Sequence, residues 1–357
     1  MTPYNRLFGL RSLNGRVEAF ASPATDSMLF TSKFKRGRTL AAEDGTLEWD
    51  ELTFGRGLAP VTGHKARFPN MDPLTIVNRK SAVAHLKRSK VLDPYKLWYE
   101  RLPGTLRPGA AAYVELELRD MVNEINRTVE YMAAESLRGT LTVNAANIPG
   151  SSQAFTLTYS PNTYTASAGW ATATTGILSS EIPAMKIDFE QTCGLSPRQV
   201  IIGSTVEGYM TGNTEITTLA RTQLGERLVT QTGVMNGPLL GGLQVGNLDW
   251  TITEGGYVPA GGSFTRYLPT TDEAIALPAD NELPDVLGMA SGRGMIPAQE
   301  FGPASAAANL LRPAPSEGFY SYAKLTEDGH AVKLFVGWVG LPVVLRPQAV
   351  SVLNLVP

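Results

Sequence analysis

Three histidines, His64, His85 and His330, are the chain's only imidazoles, and Cys193 is its single thiol. A metal centre built on nitrogen and sulfur needs such ligands clustered in sequence or at helical spacing. Here they are scattered, so each histidine reads as a surface or packed residue. Cys193 has no basic neighbour or helix start to lower its pKa, and reads as an inert thiol. One cysteine also rules out an intrachain disulfide, as suits assembly in a reducing compartment. There is no G-x-S-x-G elbow and no phosphate-binding P-loop. The run Gly292-Arg293-Gly294-Met295-Ile296-Pro297 starts like a dinucleotide fingerprint but ends in proline where glycine is needed, and Gly55-Arg56-Gly57 fails likewise. The adjacent acids Asp50-Glu51, Asp272-Glu273 and Glu327-Asp328 read as solvated turns, and the sequon Asn126-Arg127-Thr128 falls inside a helical pattern. The expectation is no catalytic residue, no cofactor and no metal.

Charge carries more information. Residues 1–108 hold 18 Lys/Arg against 10 Asp/Glu, and the remainder 13 against 23, so a +8 segment precedes a −10 body. Such asymmetry can serve nucleic acid, or it can set the register of one subunit's basic segment on a neighbour's acidic body. The second reading is preferred because the basic residues are dispersed and form no Arg/Lys helix. Lys65, Arg67, Arg79, Lys80, Lys87 and Arg88 are the candidate intersubunit contacts. Lys33, Lys35, Arg36 and Arg38 are assigned to an N-terminal arm.

The elements that position these residues follow from periodicity. Residues 1–45 show no sustained pattern and read as an extended arm, ordered only where something holds it. Residues 46–110 alternate briefly at Leu47–Asp50 and Leu52–Phe54, then are broken by Gly55, Gly57, Pro60, Gly63, Pro69 and Pro73. This reads as a two-stranded excursion, too thin to be stable unless it lies on another surface. The clearest signal covers 113–138. Val114, Leu118, Met121, Val122, Ile125, Val129, Met132, Ala133 and Leu137 recur at three- and four-residue steps, with Glu115, Glu117, Arg119, Asp120, Glu124, Arg127 and Glu130 on the other face. Gly139 is the expected stop. A helix of that length spans roughly 36 Å. A hairpin (140–143 with 154–159), a second helix (177–192), a buried strand at Val200–Ile202 and a short helix from Thr205 to Met210 follow. A helix from Thr214 to Leu228 is expected next. A Gly- and Pro-rich stretch (233–300) has strands at Leu248–Thr253 and Phe264–Leu268, and closing strands lie at Lys333–Val339 and Val343–Arg346. Mixed helices and antiparallel strands imply α+β. Met1 to Phe20 lacks a signal-peptide apolar run, and no stretch reaches the length of a membrane span.

This order of parts resembles the major capsid proteins with the Hong Kong 97-type fold. More narrowly, the chain is similar to the capsid protein E family of lambda-like phages. The residues that carry the likeness are Gly57-Leu58-Ala59-Pro60-Val61, Val91-Leu92-Asp93-Pro94, Tyr95 to Arg101 and the turn Pro103-Gly104. They continue through Glu130 to Glu135, Leu137-Arg138-Gly139, Thr140 to Val143 and Gly169-Trp170, and end in Val336 to Val339 through Pro342 to Leu345 and on to Val350. Residues 1–45 and 233–300 match nothing in the family pattern.

The resemblance implies an N-terminal arm (1–45), an extended loop region (46–110), a peripheral domain with a spine helix (111–197), an axial domain (198–330) and C-terminal strands returning to the body (331–357). It implies a non-enzymatic shell subunit forming hexamers and pentamers of an icosahedral capsid around double-stranded DNA, bound non-specifically. Scaffolding, portal and decoration proteins are the further partners implied, with no membrane. The implied location is the virion, after assembly in the host cytoplasm. Three alternatives stand: an encapsulin-type nanocompartment, an enzyme with a Gly-rich body, and a tail-tube or DNA-binding protein.

Overall fold

The computed structural model describes residues 10–21, 28–42, 45–53, 75–93, 110–218, 245–259, 262–268, 273–297, 311–326 and 330–356. The helix Ala110–Leu137, here the spine helix, has 28 residues and so spans about 42 Å. All nine apolar residues of its predicted stripe are buried, none more than 4% exposed. It stops at Gly139, whose φ of +102° suits glycine, and a Cβ there would lie 2.8 Å from the Pro161 ring.

The chain forms two five-stranded sheets, the first of which packs on this helix. In the first, Arg38–Ala41 runs parallel to Leu287–Ser291, which pairs antiparallel with the long strand Val332–Val344. That long strand also takes Phe319–Leu325 and Ala84–Leu92 as antiparallel partners. It runs unbroken through what the sequence reading split into two strands. Pro342 is tolerated because Ala84–Leu92 ends opposite Gly340, leaving a strand on one side only. The second sheet has the order 162–165, 351–354, 273–277, 199–202, 249–252. Side chains from both sheets and the spine helix form one continuous apolar core.

Thr46–Thr53 and Thr75–Ala82 pair antiparallel as a separate ribbon. The expected single excursion over 46–110 is corrected at its far part: Ala84–Leu92 belongs to the first sheet, where its alternation lets Ala84 and Leu92 enter the core. The second predicted helix is Ile182–Cys193, entered through a wide turn at Ile177–Glu181. Its Ile187, assigned to the apolar face, is 54% exposed. The helix expected from Thr214 to Leu228 is described only to residue 218.

The extended arm is also corrected. Leu10–Ala21 and Leu29–Arg36 are helices. Leu13, Val17, Phe30 and Phe34 are fully buried, and Asn14 Oδ1 accepts hydrogen bonds from the Ser321 backbone N–H (2.7 Å) and hydroxyl (2.9 Å). Amphipathic spacing in Leu10–Ala21 supplies the apolar face that the sheet and the spine helix cover.

Candidate assembly surface

Among the described residues no group of three or more His, Cys, Asp or Glu side chains could hold a metal ion. Cys193 is buried at the end of its helix, with Sγ accepting from the Leu195 N–H at 3.4 Å. Burial, then the neighbouring Lys87, lowers the pKa of half-buried His85. His64 lies outside the described residues. Arg293–Pro297 is a strand paired with Leu311–Glu317, so the Gly292–Pro297 run lacks the strand-to-helix setting a dinucleotide requires.

Of the residues assigned to an arm, Lys33 is 8% exposed. Its Nζ donates to Gln199 Oε1 and lies 3.6 Å from Asp280 Oδ1. Burial lowers its pKa, with Asp280 opposing. Arg36 pairs with the same Asp280. These two hold the second N-terminal helix on the sheet strand bearing Gln199 and so are not free to embrace a neighbour. Lys35 and Arg38 are exposed.

The other end of that helix is held by a residue the sequence reading placed on the solvent face. Glu130, on the spine helix, is 1% exposed. Its two carboxylate oxygens accept the backbone N–H groups of Phe30 and Thr31, each at 2.7 Å. A side chain a hundred residues away thus caps the helix N-terminus, supplying acceptors and negative charge where both are favourable. Burial pushes its pKa up, opposed by those hydrogen bonds and by Lys35. The signal was present: Glu130 lies three and seven residues before buried Ala133 and Leu137.

The candidate intersubunit residues divide. Lys65 and Arg67 lie outside the described residues. Arg79 pairs with Glu51 at 2.9 Å and Lys80 with Glu48 at 2.6 Å, both across the ribbon itself. Arg88 pairs with Glu124 of the spine helix, as its strand neighbour Lys90 does with Glu117. Lys87 is exposed and has no ion pair among the described residues. Arg79 and Lys80 thus meet carboxylates of their own ribbon, Glu51 and Glu48 on the facing strand, and the expected contact with a neighbour is corrected for these two. What the ribbon does leave open is apolar: Ile76 is 57% and Val77 42% exposed. No described helix is long and apolar enough to cross a membrane.

Comparison with known proteins agrees with this fold. The family model described as phage major capsid protein E matches residues 17–350. Among solved structures, the chain is similar to a protein from a prophage of E. coli CFT073 described as a capsid protein. The two share 15% identity over 96% of this chain and 98% of that one, with a TM-score of 0.58. It is also similar to a phage-related protein from Bordetella bronchiseptica RB50, at 11% identity over 98% of each chain and a TM-score of 0.52. No curated protein matches the sequence.

Proposed function

The chain belongs to the phage major capsid protein E family, and we propose that copies of it close an icosahedral shell of hexamers and pentamers around double-stranded DNA. The observation that carries this reading is the family match over residues 17–350, nearly the whole chain. The geometry supports it. A two-stranded ribbon with Ile76 and Val77 exposed is marginal in isolation and gains by lying on a second copy. The work of such a protein is assembly, and no residue is assigned catalysis.

Within this reading Lys87, Lys65 and Arg67 remain candidate contacts outside their own chain. Scaffolding, portal and decoration proteins are partners the family implies, the host cytoplasm is the proposed site of assembly, and the domain boundaries drawn from residue 111 onwards stand as proposals. Electron microscopy and light scattering of the purified full-length chain test the main claim. Closed particles or rings are expected, and a monodisperse monomer at high concentration would overturn it. An encapsulin-type compartment shares the fold. Particles purified from an infected or induced host separate the two, because a phage shell carries DNA and a nanocompartment does not.

A further inference from the structure

The strand Ala84–Leu92 has two faces with different electrostatics. Even-numbered Arg88 and Lys90 point towards the spine helix, where Glu124 and Glu117 meet them. Odd-numbered residues point the other way. There Val91 lies opposite Lys333, which on its other side lies opposite Lys324. In the next row outward-facing Ser89 flanks Phe335, which flanks Tyr322. Lys87 lies one row further, opposite Gly337. These rows carry three lysines and no carboxylate, and none of Lys87, Lys324 and Lys333 has an ion pair among the described residues.

Two ammonium groups directly opposite on adjacent strands destabilise a sheet. The chain places a carboxylate beside each cation on the opposite face of this strand, and among the described residues none pairs with a cation here. Instead, Lys333 Nζ lies 5.3 Å from the Phe335 ring centre, and that ring stacks on Tyr322 at 4.6 Å and 9°. The aromatic pair stiffens the face, and the Lys333 head rests over its edge. From the position opposite Lys87 to Lys333 is four residues, about 13 Å at the rise of a strand.

We propose that this sheet face, through Lys87, Lys324 and Lys333, contacts the phosphate backbone of double-stranded nucleic acid. The assignment names a surface for the DNA of the shell reading above and rests on it for biological context. The residue type favours phosphate over an acidic protein surface. Lysine is a flexible point charge with no planar fork, suited to a phosphate run whose position is not fixed. A docked second copy fixes one geometry, and this chain answers fixed geometry with individually matched carboxylates.

The test uses the purified full-length chain, at concentrations below those that give particles, and a short fluorescent DNA duplex of arbitrary sequence. Binding is followed by anisotropy against salt. Three ammonium–phosphate contacts contribute about 2.7 to the steepness of log K against log salt. Lys87→Gln/Lys324→Gln/Lys333→Gln should flatten the plot by that amount, and the triple Arg variant should restore it. Lys87 and Lys324 are exposed and Lys333 is half-buried, and circular dichroism checks that the variants stay folded. An unchanged slope overturns the proposal. So does a triple Gln variant that binds duplex normally but no longer assembles, which would assign the face to a second copy. Electron microscopy of the parent chain judges the shell reading separately, since failure to form particles leaves the salt slope as measured.

Discussion

Glu130→Ala probes how the N-terminal helices are attached. In the parent, two buried backbone N–H groups each find a carboxylate oxygen at 2.7 Å. The truncation strands both, at about 1–3 kcal/mol each, and returns part of that by removing a desolvated charge. The expected net loss is about 2–4 kcal/mol, concentrated on the segment from Leu29 to Arg36. Limited trypsin digestion reads it locally, because Lys33, Lys35 and Arg36 are cleavable only when this helix leaves the body. Urea unfolding reads it globally. Glu130→Gln keeps one carbonyl acceptor and should fall between parent and Ala. If Glu130→Ala unfolds at the parent's urea midpoint and its N-terminal helices resist trypsin equally, the capping argument is wrong.

The same carboxyl gives a pH dependence whose sign is fixed by its environment. Burial raises the folded-state pKa above the ordinary glutamate value of 4.5. The folded state therefore binds the proton more readily than the unfolded chain. The stabilisation is fully present below 4.5 and is lost as pH rises through the raised folded-state value. The parent's stability relative to Glu130→Gln should thus increase on acidification across that window. A difference that shrinks on acidification would mean the two hydrogen bonds outweigh burial.

Ile125 is 2% exposed on the spine stripe, so Ile125→Ala should cost about 2–5 kcal/mol in urea unfolding, while Ile125→Asp should abolish soluble folded chain. Parent-like stability for either would refute the helix orientation. Gly337→Ala should lower stability by about 1–3 kcal/mol, since the added methyl would run into the Tyr320 ring lying over that glycine. An unchanged denaturation midpoint would show that the ring moves aside freely. Deleting residues 1–36 should give insoluble or unfolded chain, because it uncovers the surfaces that Leu13, Val17, Phe30 and Phe34 bury. A soluble truncated body with parent-like circular dichroism would restore the arm reading.

The spine helix was legible because its burial is set locally, by one stripe repeating over seven turns. The N-terminal helices were not, for two reasons. Leu10, Leu13, Val17 and Phe20 do have helical spacing, but Ser12, Asn14 and Gly15 between them are poor helix formers. In Leu29–Arg36 the basic residues hide the buried ones, and the burial of Lys33 depends on Gln199 and Asp280, 166 and 247 positions further along. Glu130 failed for the same reason. A charged residue at a core position is read as solvated until its distant partner is known, and its partners are backbone N–H groups that no side-chain pattern reveals.

The charge asymmetry shows most plainly what composition can and cannot assign. A +8 segment ahead of a −10 body suggested complementarity between subunits. In the fold, much of it is met within one chain: Lys33 and Arg36 on Asp280, Arg88 on Glu124, Lys90 on Glu117, each joining the basic segment to the acidic body. These pairs are partly exposed and contribute about 0–1 kcal/mol each, so they orient elements more than they stabilise them. On this strand the cation available to a partner is the one that alternation turns away from the spine helix. Lys87 and Arg88 are adjacent in sequence and identical to any charge count, yet one faces solvent and the other faces Glu124. A one-residue shift in register would exchange them. The partner of this surface is therefore decided by the pairing of Ala84–Leu92 with Val332–Val344, a contact between segments about 250 residues apart that net charge cannot report.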